Sequence, residues 1–416
     1  MVCAKKSTAK TNIITLLKMC ALSIITGVTG GLIGNAFLYV LTTAAHTRAE
    51  HTWLIFLLPA GGIATVMLYR LLKMSNHGGV NEIVKNIEYN TPVRPLAAPL
   101  IFVCTAITHL LGGSAGKEGA ALQLGGAGAA AIAKGFKLKD NYYAAMVLCG
   151  MSAVFASVFG TPLTAAFFIL EFKATRKIFP WAVLPCFISA LTADRIAALT
   201  GRSAEAIPYI NSYGFNFATV AKAIILSVCV SITGAVMCLC FKSGKRIAKT
   251  IIKNPIIRIL AGSAVIIALT LITGDMRYNG SGMEMAIKAL EGNADWYDFM
   301  LKIVFTAITL SAGFKGGEIV PTFCIGATFG CVMGQVLGIN PALAAALGLV
   351  AIFCYATNSL ISAVFLGIEL FGIALLPYFI IVCLVACMLS GKHGLFYGRI
   401  FKSPIFILKQ KLKTTQ

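Results

Sequence analysis

The chain has 416 residues, 58% of them hydrophobic and only 12% charged, about half the ~25% charge of an ordinary soluble domain. A soluble core cannot hide that much apolar surface at this length, and the composition equally excludes a disordered chain, a collagen and a coiled coil. The formal charge is +20, from 35 Lys and Arg against 15 Asp and Glu. The cations stand between and beyond apolar runs, the distribution of the positive-inside rule rather than of a nucleic-acid partner.

Together these features predict an all-α polytopic membrane protein. The first apolar run, 12–45, is preceded by Lys5, Lys6 and Lys10. It is too long for the core of a signal peptide, so residues 1–11 read as a cytoplasmic tail. Further runs follow at 52–72, 96–112, 140–172, 178–200, 214–242, 255–273, 299–313, 322–338, 343–372 and 374–390. Several exceed the ~20 residues of one crossing and others fall short of it. Gly160-Thr161-Pro162 breaks the run at 140–172, and Asn358-Ser359 breaks the one at 343–372. Such interruptions predict tilted and discontinuous helices. The cation clusters are Lys134, Lys137 and Lys139; Lys173, Arg176 and Lys177; Lys245, Arg246, Lys249 and Lys253; and Lys409, Lys411 and Lys413. By the same rule both termini, with 401–416 as a second tail, and the segment 243–253 are expected in the cytoplasm of a cell-membrane protein. No appended regulatory domain is expected. The 13 cysteines lie mainly inside apolar runs without metal-ligand spacing, so buried thiols are expected, with no metal and no cofactor.

An internal repeat runs through the chain. Residues 150–171 align without gaps to 348–369, with six of 22 positions identical and both ending in glutamate, Glu171 and Glu369. Gly125 pairs with Gly326, and Gly79 with Gly282, at nearly the same offset. Two homologous halves, about 12–200 and 214–400, follow. Repeated halves with broken helices are a signature of transporters and channels, whose sites lie where half-helix ends point inward.

Few carboxylates sit in apolar context. Glu118 follows Gly112-Gly113-Ser114-Ala115-Gly116-Lys117 and precedes Gly119. A glycine-rich turn opening a helix offers free amides and a positive dipole end, an anion site that needs no metal. An ionised carboxylate can occupy that site and leave it on protonation, which would make Glu118 both gate and proton carrier. The competing reading, a glutamate that only satisfies the helix dipole, is weaker for a membrane-embedded residue flanked by glycines. Glu318, in Lys315-Gly316-Gly317-Glu318-Ile319-Val320-Pro321, holds the matching place in the second half as a second proton site or a plain cap. Glu171 and Glu369 read as structural, at a subunit contact. His77-Gly78-Gly79-Val80 and Gly280-Ser281-Gly282-Met283 read as two more helix starts with bare amides. His109 reads as a hydrogen-bonded core residue, and Lys117 as a source of positive potential for an anion.

These motifs, in this order, resemble the CLC chloride channel and transporter family over about 12–400. GGSAGKEGAALQLGG at 112–126 resembles the gating-glutamate motif, GMSAVFASVFGTPLTAAFFILE at 150–171 the helix pair with its central proline, and GGEIVPTFCIGATFG at 316–330 the second filter segment. The resemblance implies a homodimer with one pore per subunit. Each subunit would hold two inverted repeats of tilted, partly re-entrant helices, whose N-terminal amides bind the anion. It implies Glu118 as gating and proton-transfer glutamate, with Glu318 as a second. The implied anion-binding positions are Gly78, Gly79, Val80, Lys117, Gly119, Ala120, Ile319, Val320 and an aromatic at Phe396 or Tyr397.

The chain also departs from the chloride members. The serine of their first filter loop is missing at 77–81, and Lys117 and Ala120 replace Arg and Pro. The Gly-Gly-Glu element at 316–318 and the lead-in at 112–116 look closer to the fluoride-exporting branch, although Val320 replaces a threonine of that branch. The expected function is proton-coupled transport of a halide, fluoride or chloride, across a lipid bilayer. The alternatives are a passive chloride channel of the same fold and, from another class, an intramembrane serine hydrolase using Ser281, or Ser114 with His109.

Overall fold

The computed structural model describes residues 2–75, 79–89, 91–172, 179–202, 207–208, 210, 214, 216–391 and 394–396. Sixteen α-helices and no β-strand occur among them. The first eight are α1 (Val2–Glu50), α2 (Leu58–Leu71), α3 (Val80–Glu88), α4 (Ala97–Leu110), α5 (Glu118–Gly135), α6 (Asp140–Phe159), α7 (Pro162–Leu170) and α8 (Phe179–Leu199). The second eight are α9 (Phe217–Ile251), α10 (Pro255–Thr273), α11 (Met283–Leu290), α12 (Asp298–Ala312), α13 (Ile319–Leu337), α14 (Pro341–Thr357), α15 (Leu360–Phe371) and α16 (Leu376–Ser390). Eight helical stretches of the described chain are long and apolar enough to cross a membrane. Helix α1 starts at Val2, so residues 2–11 continue the first helix.

The eight-helix order occurs twice, and the punctuation between helices recurs with it. Gly160 ends α6 in the left-handed conformation, φ +71°. Asn358, its aligned partner, ends α14 the same way at φ +51°, a conformation that Asn tolerates better than most residues. The next helix starts with Pro162 in the first copy and Leu360 in the second. The two breaks read from the sequence are therefore left-handed caps that divide long apolar runs into helix pairs.

The residues form two compact units. One comprises Met1–Tyr39, Val80–Pro99 and Ala121–Ala204; the other comprises Val40–Gly79, Leu100–Ala120 and Glu205–Gln416. The first is centred on α6, where every residue from Ala144 to Val158 is buried. A helix apolar on all sides has no face for water and belongs in a core. Small residues let α1 approach it closely: a side chain on Gly30 would meet Ala153, and one on Gly31 would meet Ala193 and Ile196 of α8. In the second unit α14 takes the central place, with Leu343 to Thr357 all buried. Matched glycines make the same contact in each unit. A Cβ on Gly125 or Gly326 would meet the carbonyl oxygen of Gly150 or Gly348 respectively. Close backbone approach of this kind is how helices associate where lipid removes most of the hydrophobic drive.

Candidate functional site

The site is built where α4 and α12 stop. Gly112 turns the chain after α4 at φ +86°, and Gly313 turns it after α12 at φ +114°. The chain then runs extended for a few residues before α5 starts at Glu118 and α13 at Ile319. The two extended segments meet side by side. Gly116 N–H donates to the Gly317 carbonyl at 2.9 Å and Gly317 N–H to the Gly116 carbonyl at 2.6 Å. This bridge sets the first amides of two helices beside each other, and neither set has an intrahelical acceptor.

The Glu118 side chain lies in that place. It is fully buried, and neither carboxylate oxygen has a hydrogen-bond partner of ordinary geometry. The amides of Glu118, Ile319 and Val320 nevertheless lie close enough to act on it electrostatically, as does the buried Lys117. Its carboxylate rests against Gly116 and Gly317, and a Cβ on either glycine would overlap it. A carboxyl group thus sits at two helix N-termini without a hydrogen bond of ordinary geometry to hold it.

On its other side the 112–116 segment is held by the loop before α11. Ala115 N–H donates to the Gly280 carbonyl and Gly280 N–H to that of Gly113, both at 3.1 Å. Asn279 donates to the Gly112 carbonyl at 2.8 Å. Lys302 of α12, fully buried, donates to Ser114 Oγ at 3.0 Å, the Tyr278 carbonyl at 3.0 Å and the Gly280 carbonyl at 2.9 Å. Its three donors are matched by three oxygens, which is what an ammonium needs to stay buried. Arg48 extends the positive surroundings and donates to the His109 carbonyl at 2.7 Å.

Glu318 caps α13 from just outside the helix and is ion-paired with Lys245 of α9. The pairing offsets the charge that would otherwise repel an anion there. Ile319 and Val320, buried, supply the first amides of α13, and Gly119 and Ala120 continue the first turn of α5. The structure therefore brings Lys117, Glu118, Gly119, Ala120, Ile319 and Val320 together. Gly79, at φ +69°, leads into α3, which Val80 opens as a buried residue. This second glycine-led helix start matches Gly282, at φ +83°, before α11. Phe396 is half-buried beyond the Leu395 N–H, which bonds the Ala356 carbonyl at the end of α14. Gly78 and Tyr397, like His77, lie outside the described residues.

The hydrolase alternative finds no dyad. Ser114 Oγ is taken by Thr306 Oγ1, 2.9 Å away, and by Lys302. His109 Nδ1 lies 3.0 Å from the Thr105 carbonyl of its own helix, and Nε2 has no partner. Ser281 Oγ accepts from the Met283 amide at 3.4 Å, the role of a helix-start residue. His109 is thus a core residue, as the sequence suggested.

A family model described as voltage gated chloride channel matches residues 60–391. The chain belongs to this family. It is a multi-pass membrane protein whose fold is that of CLC transporters. It is 29% identical over 391 residues to a chloride/fluoride channel protein of Pseudomonas syringae pv. tomato, covering 92% of this chain and 86% of that one. A putative ion-transport protein, YfeO, of Salmonella typhimurium is 24% identical, covering 82% and 84%. Among solved structures, a CLC-type fluoride/proton antiporter superposes with TM-score 0.87 at 32% identity, covering 92% of this chain and 97% of that one. A slow cyanobacterial Cl⁻/H⁺ antiporter gives 0.77 at 17% identity, covering 96% and 98%, a likeness of fold.

Lys302 and the Lys245–Glu318 pair escaped the reading of the sequence. Lys302 does carry a signal, because it is a lone cation inside the apolar run 299–313, and a charge there needs buried partners. Lys245 carries none. It is one of four cations in 243–253 and reads like its neighbours.

Proposed function

We propose that this protein exchanges halide ions for protons across a cell membrane, with fluoride the favoured ion and Glu118 the group that links the two. The observation that carries this is the Glu118 carboxylate, buried beside the first amides of α5 and α13 with neither oxygen in a hydrogen bond of ordinary geometry. A halide and an ionised carboxylate want the same amides, so each excludes the other. On taking a proton the side chain loses its attraction to the helix N-termini and withdraws, and the anion moves in. The cycle carries a proton one way for anions moving the other.

Fluoride is favoured by the similarity to the fluoride/proton antiporter and by the second carboxylate at Glu318. Fluoride holds its water tightly, and a site that selects it must supply close donors. A protonated Glu318, released from Lys245, is such a donor. The protein acts as a homodimer with one pathway per subunit and both termini in the cytoplasm.

Purified protein in liposomes tests this. Fluoride efflux driven by an anion gradient should move protons uphill, and Glu118→Gln should abolish the proton movement while anion flux persists. Unchanged proton coupling in the variant overturns the role of Glu118. A wild-type reversal potential that follows the anion gradient alone would establish the passive channel, the reading favoured by the chloride/fluoride channel relative. Robust chloride flux with negligible fluoride flux would reverse the choice of ion.

A further inference from the structure

We propose that the protein carries a binding site for an anionic phospholipid, in a groove formed by α9, α10 and α12. The groove has a volume of about 280 Å³. Small residues make its floor: Gly244 and Ala248 of α9, Ala261 and Gly262 of α10, and Ala307 and Ala312 of α12. Ile252, Val265 and Ile308 add to the apolar lining, and Arg258 and Ser311 are its polar members. Exposed apolar side chains flank it, Ile247 and Ile251 on α9 and Ile257 and Leu260 on α10, interspersed on α9 with exposed cations. In a membrane protein such a surface meets lipid tails.

The groove has a direction. Helix α9 ends at Ile251 and α10 begins at Pro255, so three residues join them and their ends lie at one level. That end of the groove is cationic. Arg258 stands in the first turn of α10, Lys249 in the last turn of α9, and Lys253 in the connection, the two lysines being exposed. The α10 N-terminus adds its partial positive charge. From there the apolar lining runs inward along α10, from Arg258 to Val265, roughly 10 Å at 1.5 Å per residue, while the α9 wall from Gly244 to Ile252 belongs to the basic segment 243–253 at the boundary. A lipid lies in a membrane the same way, with charge at the boundary and tail inward.

The Arg258 side chain has donor capacity to spare. One Nη donates to the Ile252 carbonyl at 3.0 Å, while Nε is buried without a partner, a rare condition that a bound acceptor would relieve. A phosphate oxygen is the acceptor that suits a guanidinium. A second copy of the chain suits the groove less well. A two-fold contact at this face brings the same cationic ends of both copies to one level of the membrane, where like charges oppose association.

The test is native mass spectrometry of the full-length protein in mixed micelles. These contain equal phosphatidylglycerol and phosphatidylcholine with identical oleoyl chains. The wild type should retain phosphatidylglycerol in preference. Arg258→Gln should lower that retention about fivefold, the usual effect of one basic residue near an anionic surface, with little change in phosphatidylcholine. Lys253→Gln, at an exposed position, should act in the same direction and covers the case of a poorly folded Arg258 variant. Ala261→Phe, which fills the groove, should lower retention of both lipids. Equal retention of the two lipids by the wild type overturns the proposal. So does unchanged phosphatidylglycerol retention in Lys253→Gln and Ala261→Phe. A dimer that Ala261→Phe dissociates without loss of lipid assigns the groove to a second copy instead.

Discussion

Gly116 gives the sharpest way to move Glu118 without changing it. A Cβ placed on Gly116 overlaps both carboxylate oxygens of Glu118 and comes within 2.8 Å of its Cδ, and no backbone atom is among its nearest neighbours. Ordinary carbon contacts lie near 3.5–4.0 Å, so Gly116→Ala and the observed Glu118 rotamer cannot coexist unstrained. The backbone at Gly116 is not left-handed, and its two backbone hydrogen bonds with Gly317 are untouched. The strain therefore falls on the flexible end of one side chain. Overpacking by one methyl costs about 1–3 kcal/mol. Spent on the seated rotamer, that shifts its population against the withdrawn one by about 5- to 150-fold, at ~1.4 kcal/mol per tenfold. The expected phenotype is a partial copy of Glu118→Gln: fluoride efflux from liposomes persists or rises, and protons moved per fluoride fall. The control is the double variant. On a Glu118→Ala background the methyl meets no carboxylate, so Gly116→Ala should add nothing. Wild-type coupling in Gly116→Ala, or an equal effect of the methyl with and without the Glu118 side chain, would refute the reasoning.

Other outcomes follow from the same contacts. Lys302→Met leaves the Tyr278 carbonyl without its donor and the Gly280 carbonyl with only the Ala115 N–H. At about 1–3 kcal/mol for one unpaired buried group, less the relief of no longer burying an ammonium, the net loss should be about 1–2 kcal/mol, read as a drop of a few degrees in the unfolding midpoint; a midpoint equal to wild type sinks this account. Glu318→Ala should reduce fluoride efflux more than chloride efflux, by about threefold or more, because the more strongly hydrated ion depends more on a close donor; parallel efflux assays decide it, and equal losses would remove Glu318 from selectivity. A single cysteine at Lys253, in a cysteine-free background, should react with an impermeant reagent only from the inside, and labelling of intact cells would reverse the topology.

Much of this protein is decided along the chain. Composition alone requires a membrane, since no soluble core absorbs so many apolar side chains. The helix breaks at Gly160 and Asn358, the glycine turns before α3, α5, α11 and α13, and the place of Glu118 at a helix start are all local. Each depends on which residues tolerate a left-handed φ or expose amides within one turn, and such preferences are written in neighbouring residues. The recurrence of those signals in both halves made the repeat readable before any helix was placed.

What the linear order does not contain is who stands opposite whom. Gly116 and Gly317 are far apart in sequence, and only tertiary packing turns two separate helix starts into one seat for a carboxylate. The same holds for the cations. Lys302 stands alone in an apolar run and Lys245 in a basic cluster. One ends fully buried between the Ser114 hydroxyl and two carbonyls of the loop before α11, while the other reaches Glu318 from α9. A charge in a membrane protein must find a partner, and the sequence says that it must. Only the assembled helices decide which partner lies within reach, because that depends on distances between segments that no local preference controls.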